Sequence, residues 1–321
     1  MEKRQPAYLS PTSLQMFYED RPKFYIQYIC PTKLPRDPQT SPMAVGSAFD
    51  AFVKSFLVEK LIGKRDQFEF TTLFEAQVEA HNRDEALVAG RQTFEAYKAQ
   101  GALGDILADL SECIGEPRFE ASLEGTVRAV SVAVGDIPFL GKPDIFFVTK
   151  HGGRVIFDWK VNGYYSNKGP SPAAGYVRIR TKDHKTNGQQ HGKALVMPLS
   201  GVKCAINYPL CDVDKKWAGQ TAIYAWLLGE EVGSQFITAI DQIVVNKDGL
   251  GLRDFRVAQH RSTVTEKFQR ALFKQAHTAW HAIKSGHIFF EQPKEESDRL
   301  CLMLDTHAAQ RAGGGPSFVD R

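Results

Sequence analysis

Two carboxylates and one lysine have the spacing of a catalytic hairpin. Asp144 and Asp158 each stand at an end of a short apolar run, and the runs flank a turn that contains Gly152-Gly153. Such a pattern predicts a β-hairpin, and Lys160 is expected on the face of Asp158 because side chains alternate along a strand. Carboxylate oxygens suit a divalent cation, and a lysine beside them can stabilise a phosphate under attack. The pattern therefore predicts metal-dependent phosphodiester chemistry, and the alternative is a structural ion pair between Lys160 and two strand-end acids.

Helices and strands around the hairpin must position these residues. Helices are predicted to begin after a Ser10 N-cap, near Val45, at residue 71, at residue 214 and at a capping box formed by Thr263 and Glu266. Strands are predicted at 119–123, 127–134, 139–148, 154–160, 236–245 and 252–258. The first four strands would form an antiparallel meander. Asp50 would lie near the start of the second helix, one turn before Lys54.

A basic segment follows the predicted catalytic strand. Between Asn162 and Lys203 it contains a cluster at Arg178, Arg180 and Lys182, with interleaved tyrosines and few acids. A long polar connection inside a compact domain is usually functional or disordered. The segment is either a solvated insertion or a DNA-contacting flap whose cations bind phosphates and whose tyrosines stack on bases.

Composition limits the class of protein. The chain has 321 residues, 43% of them hydrophobic and 24% charged, with a formal net charge of +3, which fits a globular protein with only local positive patches. The five cysteines are scattered and form no C-x-x-C pair, so a disulfide framework and a zinc site are not expected. No signal peptide or apolar span is evident, and a cytoplasmic protein is expected.

Together these residues resemble the PD-(D/E)xK nuclease superfamily, specifically its RecB-like exonuclease branch, and the phage-encoded members in particular. The resemblance covers residues 8–290 and consists of six ordered pieces: Leu9-Ser10-Pro11-Thr12-Ser13-Leu14, Gly46-x-x-x-Asp50, Glu120, Gly141-Lys142-Pro143-Asp144, Asp158-Trp159-Lys160 and Gln220-x-x-x-Tyr224. Each piece is weak alone, and their order makes the combination specific.

The resemblance implies an α/β, restriction-endonuclease-like fold with a mixed central β-sheet flanked by helices. It implies one nuclease domain over 1–310, with a helical part at 8–115, a catalytic core at 116–290 that contains a basic insertion at 161–215, and a flexible tail at 308–321.

The resemblance also assigns roles to residues. Asp144 and Asp158 look like metal-binding acids, the backbone carbonyl of Trp159 like a further ligand, and Lys160 like the catalytic lysine. Asp50 stands where the family commonly has histidine, which implies an additional oxygen ligand and a harder site for one or two Mg²⁺ or Mn²⁺ ions.

Other positions match the family less directly. Gln220 and Tyr224 would orient the site and contact nucleic acid, and Glu120 resembles an upstream acid of uncertain role. The cysteines that hold an iron–sulfur cluster in several relatives have no counterparts here apart from Cys301, so no cluster is expected.

The expected function is that of a Mg- or Mn-dependent deoxyribonuclease, an exonuclease acting on DNA ends in recombination, repair or phage DNA processing. A recombination or single-strand-annealing protein is the expected protein partner. The alternatives are a site-specific endonuclease or an RNase on the same fold, and a non-catalytic DNA-binding module.

Overall fold

A computed structural model describes residues 4–31, 37–119, 130–162, 185–186, 189–190, 215–247 and 253–286. Its helices are α1 (Pro11–Glu19), α2 (Arg21–Phe24), α3 (Ser41–Leu61), α4 (Phe70–Gln77), α5 (Arg83–Ala99), α6 (Ala102–Ser111), α7 (Lys215–Leu227) and α8 (Glu266–Ser285). Its strands are β1 (Ile114–Phe119), β2 (Val130–Val134), β3 (Ile137–Gly141), β4 (Ile145–Val148), β5 (Arg154–Asn162), β6 (Lys185–Thr186), β7 (Gln189–Gln190), β8 (Ile237–Lys247) and β9 (Arg253–Thr263).

The chain divides into two compact units. The larger comprises Pro38–Val130 and Gly141–Ala271, and it contains every candidate site residue that the structure describes. The smaller comprises Met1–Asp37, Ser131–Leu140 and Leu272–Arg321. The prediction of a single nuclease domain over 1–310 stays a prediction. None of the described helices is long and apolar enough to cross a lipid bilayer.

A five-stranded mixed sheet forms the centre of the larger unit. Its strand order is β1-β4-β5-β8-β9, and β5 lies in the middle. The predicted hairpin is confirmed, since β4 and β5 pair antiparallel from Ile145 opposite Phe157 to Val148 opposite Arg154. β5 and β8 pair in parallel, and β8 and β9 pair antiparallel. The predicted α/β fold with a mixed central sheet flanked by helices is thereby confirmed.

Helices α3 and α5 pack on one face of this sheet, and α4 and α6 pack against these two helices. The side chains at that interface are aromatic and aliphatic, and burying them supplies most of the driving force for folding. The fully buried members include Phe49, Leu57, Tyr97, Ile106, Phe157 and Ile243. Helix α3 covers one face of β5 and helix α7 contacts the other, and the residues of β5 from Val155 to Trp159 are all buried.

Local backbone chemistry explains where the predicted elements were wrong. The predicted strand 139–148 is two strands, β3 and β4, which belong to different sheets. The two strands are separated by Lys142-Pro143-Asp144, where the proline lacks the N–H that a ladder needs. The predicted four-stranded meander is also wrong, because the strand is interrupted between β3 and β4. Strands β2 and β3 form a two-stranded sheet of their own, apart from the sheet that contains β4 and β5.

Two predicted helix starts were also wrong. Helix α3 begins at Ser41, with Pro42 in its first turn, so Asp50 lies in the middle of a 21-residue helix. The N-cap of α8 is Thr265, whose hydroxyl accepts from the Phe268 amide at 3.3 Å, because β9 continues through Thr263. The cap at Ser10 is confirmed, with its hydroxyl 3.1 Å from the Ser13 amide.

Gly90 in α5 sets the spacing between α5 and α3, and we predict that Gly90→Ala destabilises the protein. An added Cβ would lie 2.5 Å from the Ala48 Cβ and 3.0 Å from the Ala48 carbonyl carbon, so α3 and α5 would have to separate. The expected loss of unfolding free energy is about 1–3 kcal/mol, measured by urea denaturation. Gly104→Ala is the control, since no atom lies within 4 Å of its added Cβ, and it should stabilise by about 0.5–1 kcal/mol. Equal effects of the two substitutions would contradict this packing.

Candidate active site

Asp144 lies where β4 stops covering β5. The last residue pair of the two strands is Ile145 opposite Phe157, so β5 continues past that point with one edge uncovered by β4. Asp144 Oδ2 accepts a hydrogen bond of 2.9 Å from the Trp159 amide at this edge. Within a strand, the N–H and C=O of one residue point to the same side. The Trp159 carbonyl is therefore directed to the same edge as Asp144.

Asp158 and Lys160 share one face of β5. Their side chains form an ion pair through Asp158 Oδ2, as the alternation of side chains predicted. Asp158 is only 3% exposed. Apart from this ion pair, Asp158 Oδ2 accepts no hydrogen bond of normal geometry from the residues that the structure describes. The oxygen thus keeps acceptor capacity for a further cationic ligand.

The two carboxyl groups titrate as neighbours. Burial raises the pKa of Asp158, Lys160 opposes this effect, and the negative charge of Asp144 adds to it, so that the pKa reaches about 7. Burial also raises the pKa of Asp144, but Lys54, Lys160, the Trp159 amide and a hydrogen bond with Asp158 together lower it below its ordinary value. Near neutral pH, Asp144 is ionised and Asp158 holds a proton for part of the time. A cation between them would favour ionisation of both.

Lys54 is a site residue that sequence reasoning missed. Its side chain is fully buried, and its ammonium lies 2.8 Å from Asp50 Oδ1 and 3.0 Å from Asp144 Oδ1. The other oxygen of Asp50 accepts a hydrogen bond of 3.0 Å from Gln77 Nε2, at the end of α4. The four-residue spacing of Asp50 and Lys54 was the available signal. It showed that the two residues are one turn apart, but not that their face of α3 points to Asp144.

Helix α7 positions Lys160 through a hydrogen bond to Gln220. Lys160 Nζ donates to Gln220 Oε1 at 3.1 Å, and Gln220 Nε2 donates to the Tyr224 hydroxyl at 2.8 Å. Gly141 permits this arrangement because a Cβ there would come within 2.8 Å of Tyr224 and 2.5 Å of Leu227. Gln220 and Tyr224 thus lie one turn apart on one face of α7 and contact each other, and their predicted contact with nucleic acid stays a prediction.

The opposite face of β5 is anchored by Trp159. Its indole nitrogen donates to the Tyr97 hydroxyl at 3.2 Å, and that hydroxyl donates to Asp241 Oδ2 at 2.5 Å. Phe49 of α3 packs edge-on against the indole at 6.4 Å between ring centroids. The tryptophan between the two catalytic candidates therefore fixes the rotation and register of β5 against the helical layer.

The donor set fits a hard divalent cation. Asp144, Asp158 and the Trp159 carbonyl supply oxygen atoms at one edge, and oxygen is the ligand that Mg²⁺ and Mn²⁺ prefer. A carboxylate oxygen accepts at more than one position, so the existing contacts leave room for a ligand. No group of three or more His, Cys, Asp or Glu side chains arranged for a metal occurs in the described ranges. The donor atoms that fit a divalent cation are thus carboxylate oxygens of Asp144 and Asp158 and the backbone carbonyl oxygen of Trp159.

Several predicted site residues cannot be placed. Glu120, Arg178, Arg180 and Lys182 lie outside the described residues. Their predicted roles stay predictions.

The raised pKa of Asp158 predicts that wild type and Asp158→Asn differ in unfolding free energy by an amount that depends on pH. The comparison is made in the presence of a metal chelator, so that both proteins are free of metal. From about pH 4 to pH 7 the unfolded carboxyl has lost its proton while the folded one retains it, so wild type loses stability as the pH rises. Asparagine cannot ionise, so the variant should gain stability relative to wild type over that window, by at most ~1.4 kcal/mol per pH unit. Urea denaturation at several pH values measures this difference.

Asp105→Asn serves as the control for the pH series, because Asp105 is exposed and its carboxylate stays in water on folding. We expect the stability of Asp158→Asn relative to wild type to rise between about pH 4 and pH 7. A relative stability that stays constant or falls over this range would contradict the burial of an ionising group at this edge.

Comparison with known proteins identifies a family for this chain. The family model described as the PD-(D/E)XK nuclease superfamily matches residues 8–303, which is most of the chain. The chain matches no curated protein. The solved crystal structure of SSO0001 aligns over 82% of this chain and 84% of its own, at 8% identity and a TM-score of 0.24, which is too low to support a conclusion about fold. On the family match, this chain belongs to the PD-(D/E)XK nuclease superfamily.

Proposed function

We propose that this protein is a Mg²⁺- or Mn²⁺-dependent deoxyribonuclease that hydrolyses phosphodiester bonds at DNA ends. The observation that carries the proposal is the convergence of Asp144, Asp158 and Lys160 at one edge of β5. Membership of the nuclease superfamily supports the reaction class. The preference for DNA ends follows from the resemblance to the RecB-like branch.

In this proposal Asp144, Asp158 and the Trp159 carbonyl hold the divalent cation. When bound, such a cation lowers the pKa of a water molecule and neutralises negative charge on the scissile phosphate. Asp50 neutralises Lys54, and direct ligation by Asp50, as the sequence predicted, requires that the Lys54 ammonium leave the space between Asp50 and Asp144.

Lys160 is the residue that faces the phosphate. About a fifth of its side chain is exposed, whereas Asp158 beside it is buried. Its ammonium is aimed by Asp158 on the strand and by Gln220 on α7, so it needs little reorganisation to stabilise the charge that develops on the phosphate. Tyr224 fixes the amide of Gln220 and hence the orientation of this donor.

The nucleic-acid surface is proposed from the sequence. Arg178, Arg180 and Lys182 form the basic cluster that would follow the DNA backbone as it leaves the site. The proposed setting is DNA recombination, repair or phage DNA processing in the cytoplasm, with a recombination or single-strand-annealing protein as partner and without an iron–sulfur cluster.

The test is cleavage of end-labelled linear duplex and single-stranded DNA with Mg²⁺ or Mn²⁺. Wild type should release short products from linear DNA and leave a covalently closed circle intact. Asp158→Ala and Lys160→Met should each reduce the rate by roughly 10²–10³-fold, because the first removes a ligand of the proposed cation and the second removes the ammonium that stabilises charge on the phosphate. Asp105→Ala and Lys98→Met are the matched controls, since both side chains are exposed on helices α6 and α5.

Different outcomes distinguish the alternatives. Cleavage of circular DNA would favour an endonuclease, and cleavage of RNA in preference to DNA would favour an RNase. If wild type and Asp158→Ala were equally inactive on every substrate with either metal, hydrolysis at this site would be refuted and a binding module favoured.

Neutralising the basic cluster tests the proposed DNA surface. The triple substitution of Arg178, Arg180 and Lys182 by glutamine should weaken DNA binding and lower the slope of log affinity against log salt by up to about 3, since each cation that meets a phosphate contributes roughly one unit. Fluorescence anisotropy in Ca²⁺ measures both quantities. The charge-matched control replaces Arg91, Lys98 and Lys267, which are exposed on helices. An affinity equal to that of wild type would make the cluster a passive insertion.

A further inference from the structure

Lys54 is a buried cation that the proposed hydrolysis does not use. Its ammonium lies between the facing oxygens of Asp50 and Asp144, and its side chain is 1% exposed. Burying an ammonium is costly unless carboxylates surround it at short range. Among the described residues, Asp50 and Asp144 do so, at 2.8 Å and 3.0 Å. The pairing makes Lys54 part of the site's charge balance.

The Lys54 ammonium occupies the space between two carboxylates, where a second cation could otherwise be held. In two-metal hydrolytic sites the ions lie about 3.5–4 Å apart and share carboxylates. Asp144 is the carboxylate that could be shared here, because one of its oxygens faces Lys54 and the other lies at the β5 edge beside Trp159. A second ion between Asp50 and Asp144 would therefore have to displace Lys54.

The charges of the site favour a single divalent cation. Within the part of the chain that the structure describes, Asp50, Asp144 and Asp158 are partnered by Lys54 and Lys160, so these three carboxylates and two ammonium groups carry one net negative charge when all are ionised. One divalent ion turns this into one positive charge, which complements the single negative charge of a phosphodiester. A second divalent ion would leave an excess of positive charge at a largely buried location.

From this geometry we infer that Lys54 takes the place of a second metal ion, so that the active site binds one divalent cation and Asp50 acts through Lys54. The inference rests on the proposed function, because it assumes that Asp144 and Asp158 hold a metal. It makes Lys54 a positioning residue that holds Asp144 and sets the number of metal ions.

The experiment counts Mn²⁺ ions bound to the full chain without nucleic acid, from the electron paramagnetic resonance signal of free Mn²⁺. Wild type should bind one ion. Lys54→Met keeps the length of the side chain and removes its charge, and it should bind two. Adding Asp50→Asn to Lys54→Met should return the number to one. Lys160→Met is the matched control, because it removes the other ammonium of the site, and it should still bind one ion.

A second readout follows thermal stability. Without metal, Lys54→Met leaves Asp50 and Asp144 facing each other without their shared cation, so its melting temperature should fall. Saturating Mn²⁺ should raise that temperature by more in Lys54→Met than in wild type. If Lys54→Met does not fold, wild type and Asp50→Asn still test the inference, since both should bind one ion.

The outcomes separate this inference from the proposed function. Two ions in wild type, or one ion in folded Lys54→Met, would overturn the role of Lys54 while leaving metal-dependent hydrolysis intact. A second ion in Lys160→Met would overturn it as well, because loss of either lysine would then open the site. No bound ion in wild type would refute the proposed function, and the inference with it.

Discussion

The hydrogen bond from the Trp159 amide to Asp144 is the contact on which the site depends. It closes the edge of β5 at the point where β4 ends, and it brings a carboxylate from one strand against the backbone of the next. The indole of Trp159 fixes the same strand from the opposite face through Tyr97 and Asp241. One residue therefore links the buried core to the proposed metal-binding edge.

Charge balance accounts for the remaining features of the site. Burial raises the pKa of Asp158, and the negative charge of the neighbouring Asp144 adds to this effect, so that the pKa reaches about 7 although Lys160 opposes the shift. Lys54 and Lys160 offset part of the cost of burying two ionised carboxylates, one from α3 and one from β5. A divalent cation bound to both carboxylates would offset the repulsion that remains between them and so stabilise the folded protein. The same unfavourable interactions that weaken the metal-free protein thus favour metal binding.

Sequence reasoning predicted the parts of the site that depend on strand alternation and motif order. The hairpin, the common face of Asp158 and Lys160, and the α7 face with Gln220 and Tyr224 all follow from local periodicity. It did not predict that Pro143 divides the run 139–148 into strands of different sheets, because an apolar run contains no information about which sheet each part joins. Lys54 was also missed. From sequence alone, a charged residue on an apolar helix is expected to face solvent. Lys54 instead contacts Asp144, which lies 90 positions later in the chain, and only the structure shows this contact.

Asp50 illustrates the same limit. Its resemblance to a ligand position in the family predicts metal ligation, and the structure adds that Lys54 and Gln77 contact its two oxygens. Only the tertiary arrangement shows that the Lys54 ammonium lies between Asp50 and Asp144. Family resemblance identified Asp50 as a candidate metal ligand. Its contacts with Lys54 and Gln77 determine whether it is able to bind a metal directly.

The proposed hydrolysis requires that the edge of β5 between Asp144 and Asp158 bind a divalent metal. Anomalous X-ray diffraction from crystals grown with Mn²⁺ measures this directly. The account predicts one strong anomalous peak within about 2.6 Å of a carboxylate oxygen of Asp144, one of Asp158 and the carbonyl oxygen of Trp159. A crystal saturated with Mn²⁺ that shows no peak at this edge, or a peak only elsewhere, would contradict the account.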